Sequence, residues 1–136
     1  MKSPRLSRRS PRAFTLLEMT IVIMVLLALV KIGLFSSAKM DEWRLGRAAS
    51  ESLRSVYSAQ RMYLADNPTV AVSSVTTTLL LPYLPNNQTV MPTVKSLTGT
   101  SLAIIVNVSP PIINNGSGVA YDPSGSTKDS LWDVGE

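Results

Sequence analysis

The longest apolar run in the chain lies close to its N-terminus. Residues 14–35 are almost all apolar, and only Glu18 and Lys31 carry charge within this run. As a helix that rises 1.5 Å per residue, the run spans roughly 33 Å, which is enough to cross a bilayer. We therefore predict a membrane-spanning helix over residues 14–35.

Beyond residue 35 the pattern becomes amphipathic. Apolar positions recur every three or four residues, which is typical of a helix with one buried face. No proline occurs until Pro68, which disfavours an α conformation at Asn67. These signals predict one helix of about fifty residues that ends at 66–67. The predicted buried face consists of Leu45, Ala49, Leu53, Val56, Gln60 and Tyr63. Tyr57, Met62 and Leu64 are also predicted to join the core.

Two glycines lie inside this predicted helix. Gly33 and Gly46 each cost up to about 1 kcal/mol relative to alanine in a helix interior. We expect any bend of the helix at these two positions.

The remainder of the chain is rich in Thr, Val, Ser, Asn and Pro. We predict a short helix over 75–81, with Ser73 or Ser74 as its N-cap and Pro82 as its terminator, and a strand is the alternative there. Antiparallel strands are predicted over 89–94, 102–108 and 119–121. So few strands need the amphipathic part of the long helix as a second layer. The predicted fold class is therefore α+β, a long N-terminal helix packed against a small antiparallel sheet.

The charge of the chain is concentrated before the apolar run. The formal net charge is +4, and the first 13 residues contribute +5 of it without a single acid, which leaves −1 for the rest. This basic segment is typical of a leader that stays in the cytoplasm, as the positive-inside rule describes. Because the rest is close to neutral, we expect no nucleic-acid partner. The basic residues just beyond the apolar run are expected to be a solvated helix face, and they are Lys31, Lys39, Arg44 and Arg47.

The composition also limits the possible chemistry. The chain has no cysteine and no histidine. These absences exclude disulfides, thiol catalysis and most hydrolase triads and zinc sites. No nucleophile or phosphate-binding motif is present, so we predict that the protein is not an enzyme and has no required cofactor.

The N-terminal residues resemble the leader of type IV prepilins, which type IV pilins share with the pseudopilins of type II secretion. In that family a basic leader ends in glycine, and a membrane peptidase cuts directly after this glycine. The next residue is a phenylalanine, which is followed by Thr-Leu-Ile-Glu or a close variant. The matching residues here are Phe14, Thr15, Leu16, Leu17 and Glu18. Two positions differ from the family pattern, because Ala13 replaces the glycine and Phe35 stands where many pilins carry a kinking proline.

The resemblance implies a division of the chain into three parts. Residues 1–13 would be a leader removed by prepilin peptidase, with cleavage between Ala13 and Phe14 and methylation of the Phe14 amine. Residues 14–35 would serve as a single-pass anchor in the bacterial inner membrane and later as the filament core. Residues 36–136 would form a periplasmic globular domain. The implied function is a structural subunit of a type II secretion pseudopilus or a type IV pilus, assembled with other pilins or pseudopilins on an inner-membrane platform.

Glu18 is the residue to which physical chemistry assigns a role in such a filament. A carboxylate within an apolar helix is costly unless it is paired. The free α-amine of a cleaved Phe14 on an adjacent subunit is a suitable partner, and breaking such a pair costs on the order of 3 to 5 kcal/mol. The alternative is that Glu18 only favours the positive end of the helix dipole.

Two further hypotheses concern the remainder of the chain. Asp122, Asp129 and Asp133 provide oxygen atoms in the C-terminal region, where the pseudopilins that this chain resembles bind Ca²⁺, although three acids in a polar tail are usually solvated. Trp132 is expected to anchor this tail to the sheet. The alternative function is a secreted or membrane-anchored binding module, because small residues at 36–38 suit an ordinary signal peptidase.

Overall fold

The long helix dominates the structure. The computed structural model describes residues 15–135, and its first element is α1, Leu16–Asp66, with 51 residues. The predicted helix and its end before Pro68 are thereby confirmed. Helix α1 also continues through both interior glycines.

The elements after α1 are short. One helix, α2, covers Thr77–Leu80, and single turns of 3₁₀ helix cover Val72–Ser74, Leu81–Tyr83 and Pro85–Asn87. The strands are β1 (Val94–Lys95), β2 (Ser101–Leu102), β3 (Ile104–Ile105) and β4 (Ile112–Ile113). The coarse α+β prediction is therefore confirmed.

The strands form two small antiparallel pairs. In the first, β1 pairs with β2 and Val94 lies opposite Leu102. In the second, β3 pairs with β4 and Ile104 lies opposite Ile113. The predicted single sheet is thus replaced by two sheets of two strands each, within the part of the chain that the structure describes.

Several predicted boundaries after Pro68 are wrong. The predicted strand over 89–94 retains only Val94, and the strand over 102–108 is interrupted at Ala103. The segment 119–121 contributes a single bridge, between Ala120 and Asn114. The short helix lies inside the predicted range, but its N-cap is Thr76, which makes no side-chain capping bond.

The chain divides into two compact units, Met1–Ala38 and Lys39–Glu136. In the second unit one face of α1 is buried, as the amphipathic pattern predicts. Met62 is an exception, because it is 47% exposed and does not belong to the core. The remaining core comes from the short elements and the C-terminal region. The buried hydrophobic residues are Ala49, Leu53, Val56, Ala59, Val75, Leu80, Leu84, Val94, Ile104, Val106, Ile113, Trp132 and Val134.

Gln60 explains how a polar residue fits on the buried face of α1. It is completely buried, and its side-chain amide donates hydrogen bonds to the backbone carbonyls of Val106 and Val108, both at 2.8 Å. Buried carbonyl groups need such donors when no ladder supplies them. Gln60 therefore fastens the chain between β3 and β4 to the helix.

Candidate functional site

The start of α1 is a capped helix terminus. The backbone N–H of Glu18 donates to Oγ1 of Thr15 at 3.3 Å, and the N–H of Met19 donates to the Thr15 carbonyl at 3.2 Å. Thr15 is thus the N-cap, and it satisfies one of the N–H groups that a helix start leaves unpaired. The spacing Thr-x-x-Glu is a known capping signature, so the sequence carried this signal although our sequence reasoning missed it.

Glu18 lies in the first turn of α1 and is exposed. Within residues 15–135 its carboxylate makes no hydrogen bond or ion pair. A carboxylate in the first turn interacts favourably with the helix dipole, as the alternative interpretation states. That interaction leaves the carboxylate oxygens available for a further partner. The predicted cleavage site, Ala13 and Phe14, lies outside the described residues.

The N-terminal part of α1 presents apolar side chains on all sides. Leu16 is 84% exposed and Phe35 is 69% exposed, and the apolar side chains between them are similarly uncovered. By length and composition α1 is able to cross a membrane, a criterion that a signal sequence near the N-terminus also meets. A helix that is apolar all round needs lipid or other helices around it.

The second group of interest is the C-terminal segment, residues 130–135, which docks on α1. Nε of Arg54 donates to the Val134 carbonyl at 2.9 Å, and Nη2 of the same side chain donates to Oγ of Ser130 at 2.8 Å. The backbone N–H of Trp132 donates to the Gly46 carbonyl at 3.2 Å. Gly46 and Arg54 of α1 therefore hold this segment through two backbone groups and the Ser130 hydroxyl group.

Trp132 is the apolar anchor of the segment. It is only 5% exposed, and its ring packs edge-to-face on Tyr121 with centroids 5.3 Å apart. A Cβ at Gly46 would lie 2.9 Å from Nε1 of Trp132 and 3.2 Å from Cβ of Leu131. Gly46 thus permits a close approach of the indole to the helix, which gives this glycine a packing role. The sequence predicts that Trp132 anchors the tail to the sheet, whereas the structure shows it buried against Tyr121 and close to Gly46 of α1.

The three C-terminal aspartates have different environments. Oδ1 of Asp122 accepts hydrogen bonds from the Ser124 N–H at 3.0 Å and the Ser124 hydroxyl at 2.7 Å. Oδ1 of Asp129 accepts from the Leu131 N–H at 2.9 Å. These two side chains therefore stabilise local turns. Among residues 15–135 there is no group of three or more acidic side chains arranged to hold a metal ion. The Ca²⁺ hypothesis stays a prediction.

Asp133 differs from the other two aspartates. Both of its carboxylate oxygens are buried, and neither accepts a hydrogen bond of good geometry in the described part of the chain. Burial raises the pKa of this carboxyl group, and the negative charges of Asp129 and Asp122 raise it further. The Gly135 backbone amide and the Arg54 guanidinium lower this pKa, with smaller effects. Sequence reasoning treated the three acids alike because burial of one of them cannot be read from spacing.

The basic residues of α1 that follow the apolar run, Lys39, Arg44 and Arg47, have local partners. Lys39 forms an ion pair with Glu42 at 2.8 Å, and Arg44 lies 3.7 Å from Asp41. The guanidinium carbon of Arg47 lies 5.8 Å from the centroid of the Trp43 ring, a cation–π contact. Exposed pairs of this kind stabilise a helix only slightly. They fit the solvated face that the sequence predicted.

Comparison with known proteins does not assign the chain to a family. No family model, curated protein or solved structure matches the chain. The functional conclusion is therefore drawn from the residues and their arrangement.

Proposed function

We propose that this protein is a structural subunit, a pilin or pseudopilin, of a type IV pilus or a type II secretion pseudopilus. The observation that carries the proposal is the exposed apolar surface of α1 from Leu16 to Phe35, which contains one carboxylate, Glu18. The resemblance of residues 14–18 to the prepilin leader is the reason for proposing a pilus or pseudopilus rather than another helical assembly. Neither feature requires a catalytic or cofactor site.

The energetics of the apolar surface support assembly. Exposed apolar side chains cost about 25 cal/mol per Å² in water, so the N-terminal part of α1 must lie in lipid or against other helices. A bilayer supplies the first environment, and a bundle of identical helices supplies the second. When the helix moves from the bilayer into the helix bundle, its apolar surface therefore stays out of water.

Glu18 gives the assembly its register. In a helix bundle an unpaired carboxylate is strongly unfavourable, and the amine of a processed Phe14 on a neighbouring subunit neutralises it. The Thr15 cap holds Glu18 in the first turn of the helix. Registers that leave the carboxylate unpaired are selected against, since each broken pair costs on the order of 3 to 5 kcal/mol.

The test compares two carboxylates of the same helix. Glu18→Gln and Glu18→Ala are expected to insert and to be cleaved normally, yet to enter filaments at a small fraction of the native amount. Glu51→Gln is the matched control, because Glu51 is an exposed glutamate of α1 in the other compact unit. Filaments sheared from cells and quantified by immunoblotting give the readout. Native assembly of both Glu18 variants would refute the charge-pair argument.

A second candidate function is supported by the unit boundary. The core-bearing unit begins at Lys39, directly after the small residues at 36–38 that suit signal peptidase. In that case the protein is a secreted binding module. Mass spectrometry of the mature N-terminus separates the two candidates, because a pilin begins with methylated Phe14 and the secreted module begins with Lys39.

A further inference from the structure

The first turns of the core-bearing unit carry large exposed apolar side chains. Met40 is 55% exposed and Trp43 is 54% exposed, and because they are three residues apart they lie on the same side of α1. Trp43 also lines a depression of about 170 Å³ together with Lys39 and with Leu97, which is 40% exposed. We call Lys39, Met40, Trp43 and Leu97 the Trp43 patch. This patch joins two segments that are distant in sequence and leaves a large indole ring at the surface.

The charges around the patch are mainly basic. Residues 39–47 contain three cations and two anions, a net charge of +1. The two acids, Asp41 and Glu42, are held in ion pairs by neighbouring basic side chains. Arg47 lies 5.8 Å from the centroid of the Trp43 ring and forms no ion pair in the part of the chain that the structure describes. An indole ring beside lysine and arginine is the combination that is typical of the interface between a bilayer and water.

The position of the patch in the chain matches the edge of a bilayer. Glu18 and Lys39 enclose the 20 residues 19–38, whose only charge is Lys31. At 1.5 Å per residue this segment is roughly 30 Å long, which equals the thickness of the hydrocarbon core. Lys31 lies in the second half of the segment, where the stem of a lysine reaches toward the headgroups. Trp43 follows Lys39 by about 6 Å of helix, and the headgroup layer is about 5–8 Å thick.

We propose that the Trp43 patch binds the phospholipid headgroup layer of the membrane that α1 spans. The Trp43 ring and the side chains of Met40 and Leu97 lie at the level of the lipid carbonyl groups. Lys39 and Arg47 lie beside the phosphates, and because headgroups are hydrated these side chains remain solvated. The inference rests on the membrane anchor in the proposed function and adds a lipid contact of the core-bearing unit. Trp43 then fixes the depth of α1 before a subunit enters a filament.

The experiment measures tryptophan emission of the full chain in vesicles of equimolar phosphatidylethanolamine and phosphatidylglycerol. The chain has two tryptophans, so subtracting the spectrum of Trp43→Phe from that of the native protein isolates the emission of Trp43 and leaves the buried Trp132 unaltered. We expect a shift to shorter wavelength than that of a tryptophan in water. We also expect stronger quenching by lipid brominated near the carbonyl end of its acyl chain than by lipid brominated near the methyl end. Absence of quenching, or stronger quenching by the second lipid, would overturn the proposal.

Two variants in the Trp43→Phe background move the reporter. Glu51→Trp is the matched control, because Glu51 is exposed on α1 and lies about 12 Å of helix beyond position 43, so neither brominated lipid should quench it. Leu97→Trp places the reporter on the other segment of the patch, and we expect the same quenching as for Trp43. Equal quenching at position 51 would show unspecific adsorption and overturn the proposal. An unquenched reporter at position 97 would confine the contact to α1 and overturn the patch.

Flotation of the vesicles in a density gradient separates failure of this inference from failure of the membrane anchor. A chain that floats with the vesicles and resists alkaline extraction is anchored, whatever Trp43 reports. Flotation with an unquenched Trp43 would overturn the lipid contact of the patch and leave the anchor standing. A chain that stays in the aqueous fraction would overturn the anchor and this inference with it.

Discussion

Substitution of Gly46 tests how closely the C-terminal segment is packed on α1. Gly46 lies in a helix interior, where helix propensity alone favours alanine by about 1 kcal/mol. The structure opposes this gain, because the new Cβ would lie 2.9 Å from Nε1 of Trp132 and 3.2 Å from Cβ of Leu131. The Trp132 ring is rigid and only 5% exposed, so it cannot move aside freely.

The two effects can be weighed against each other. Adding a methyl group to a well-packed site costs typically 1–3 kcal/mol. Subtracting the gain in helix propensity leaves Gly46→Ala destabilised by about 1 kcal/mol, within a range of 0 to 2. For a unit of this size that is a fall of about 4–8 °C in Tm. Gly46→Val should fall further, because valine adds more volume and recovers less helix propensity.

Thermal unfolding followed by far-ultraviolet circular dichroism measures these changes. Gly33→Ala is the matched control, since Gly33 is also inside α1 but a Cβ there would meet nothing within 4 Å. Replacing Trp132 by leucine in the Gly46→Ala background should recover part of the loss, a coupling that a double-mutant cycle isolates. A Tm of Gly46→Ala above that of the native protein would refute the packing argument, because helix propensity alone predicts that result.

Two other predictions concern the same segment. Arg54→Ala removes two hydrogen bonds to residues 130–135 and should lower the free energy of unfolding by about 1–3 kcal/mol in urea denaturation. Arg44→Ala removes only a 3.7 Å ion pair with Asp41 and should cost at most about 1 kcal/mol. Asp133 has a raised pKa in the native state, so the native state retains a proton that the unfolded state loses near pH 3.9. Stability should therefore fall as the pH rises from about 3.9 through the native pKa, and Asp133→Asn should abolish this fall in melting curves recorded across that range. An identical pH dependence in the variant would contradict the burial argument.

The long helix was predictable because its signals are local. A 3.6-residue period over many turns and Pro68 at its end determine α1 almost to the residue. Thr15 and Glu18 also carried a readable capping signature at the start. These features depend on residues that are neighbours in sequence, so no knowledge of tertiary contacts was needed.

The region after Pro68 was less predictable, since each strand has only two residues and cannot show a period. Strand β4 was not predicted, and it directly follows Pro110 and Pro111, a residue type that is unfavourable within strands. The roles of Gly46 and Gln60 depend on partners far away in the chain, Trp132 and the carbonyls that follow β3. Sequence reasoning identified a glycine and a polar residue in the helix but had no way to find what they contact.

The positions of Glu18 and Gly46 make the assembly and folding arguments separable. Glu18 belongs to the unit Met1–Ala38, and its side chain forms no hydrogen bond or ion pair within the described residues. Gly46 belongs to the unit Lys39–Glu136, where it accepts a hydrogen bond from the buried Trp132. A filament defect in Glu18→Gln should therefore come with an unchanged Tm of the core-bearing unit. A lowered Tm in that variant would mean that Glu18 acts through the fold, and the exposed carboxylate would no longer explain the selection of register.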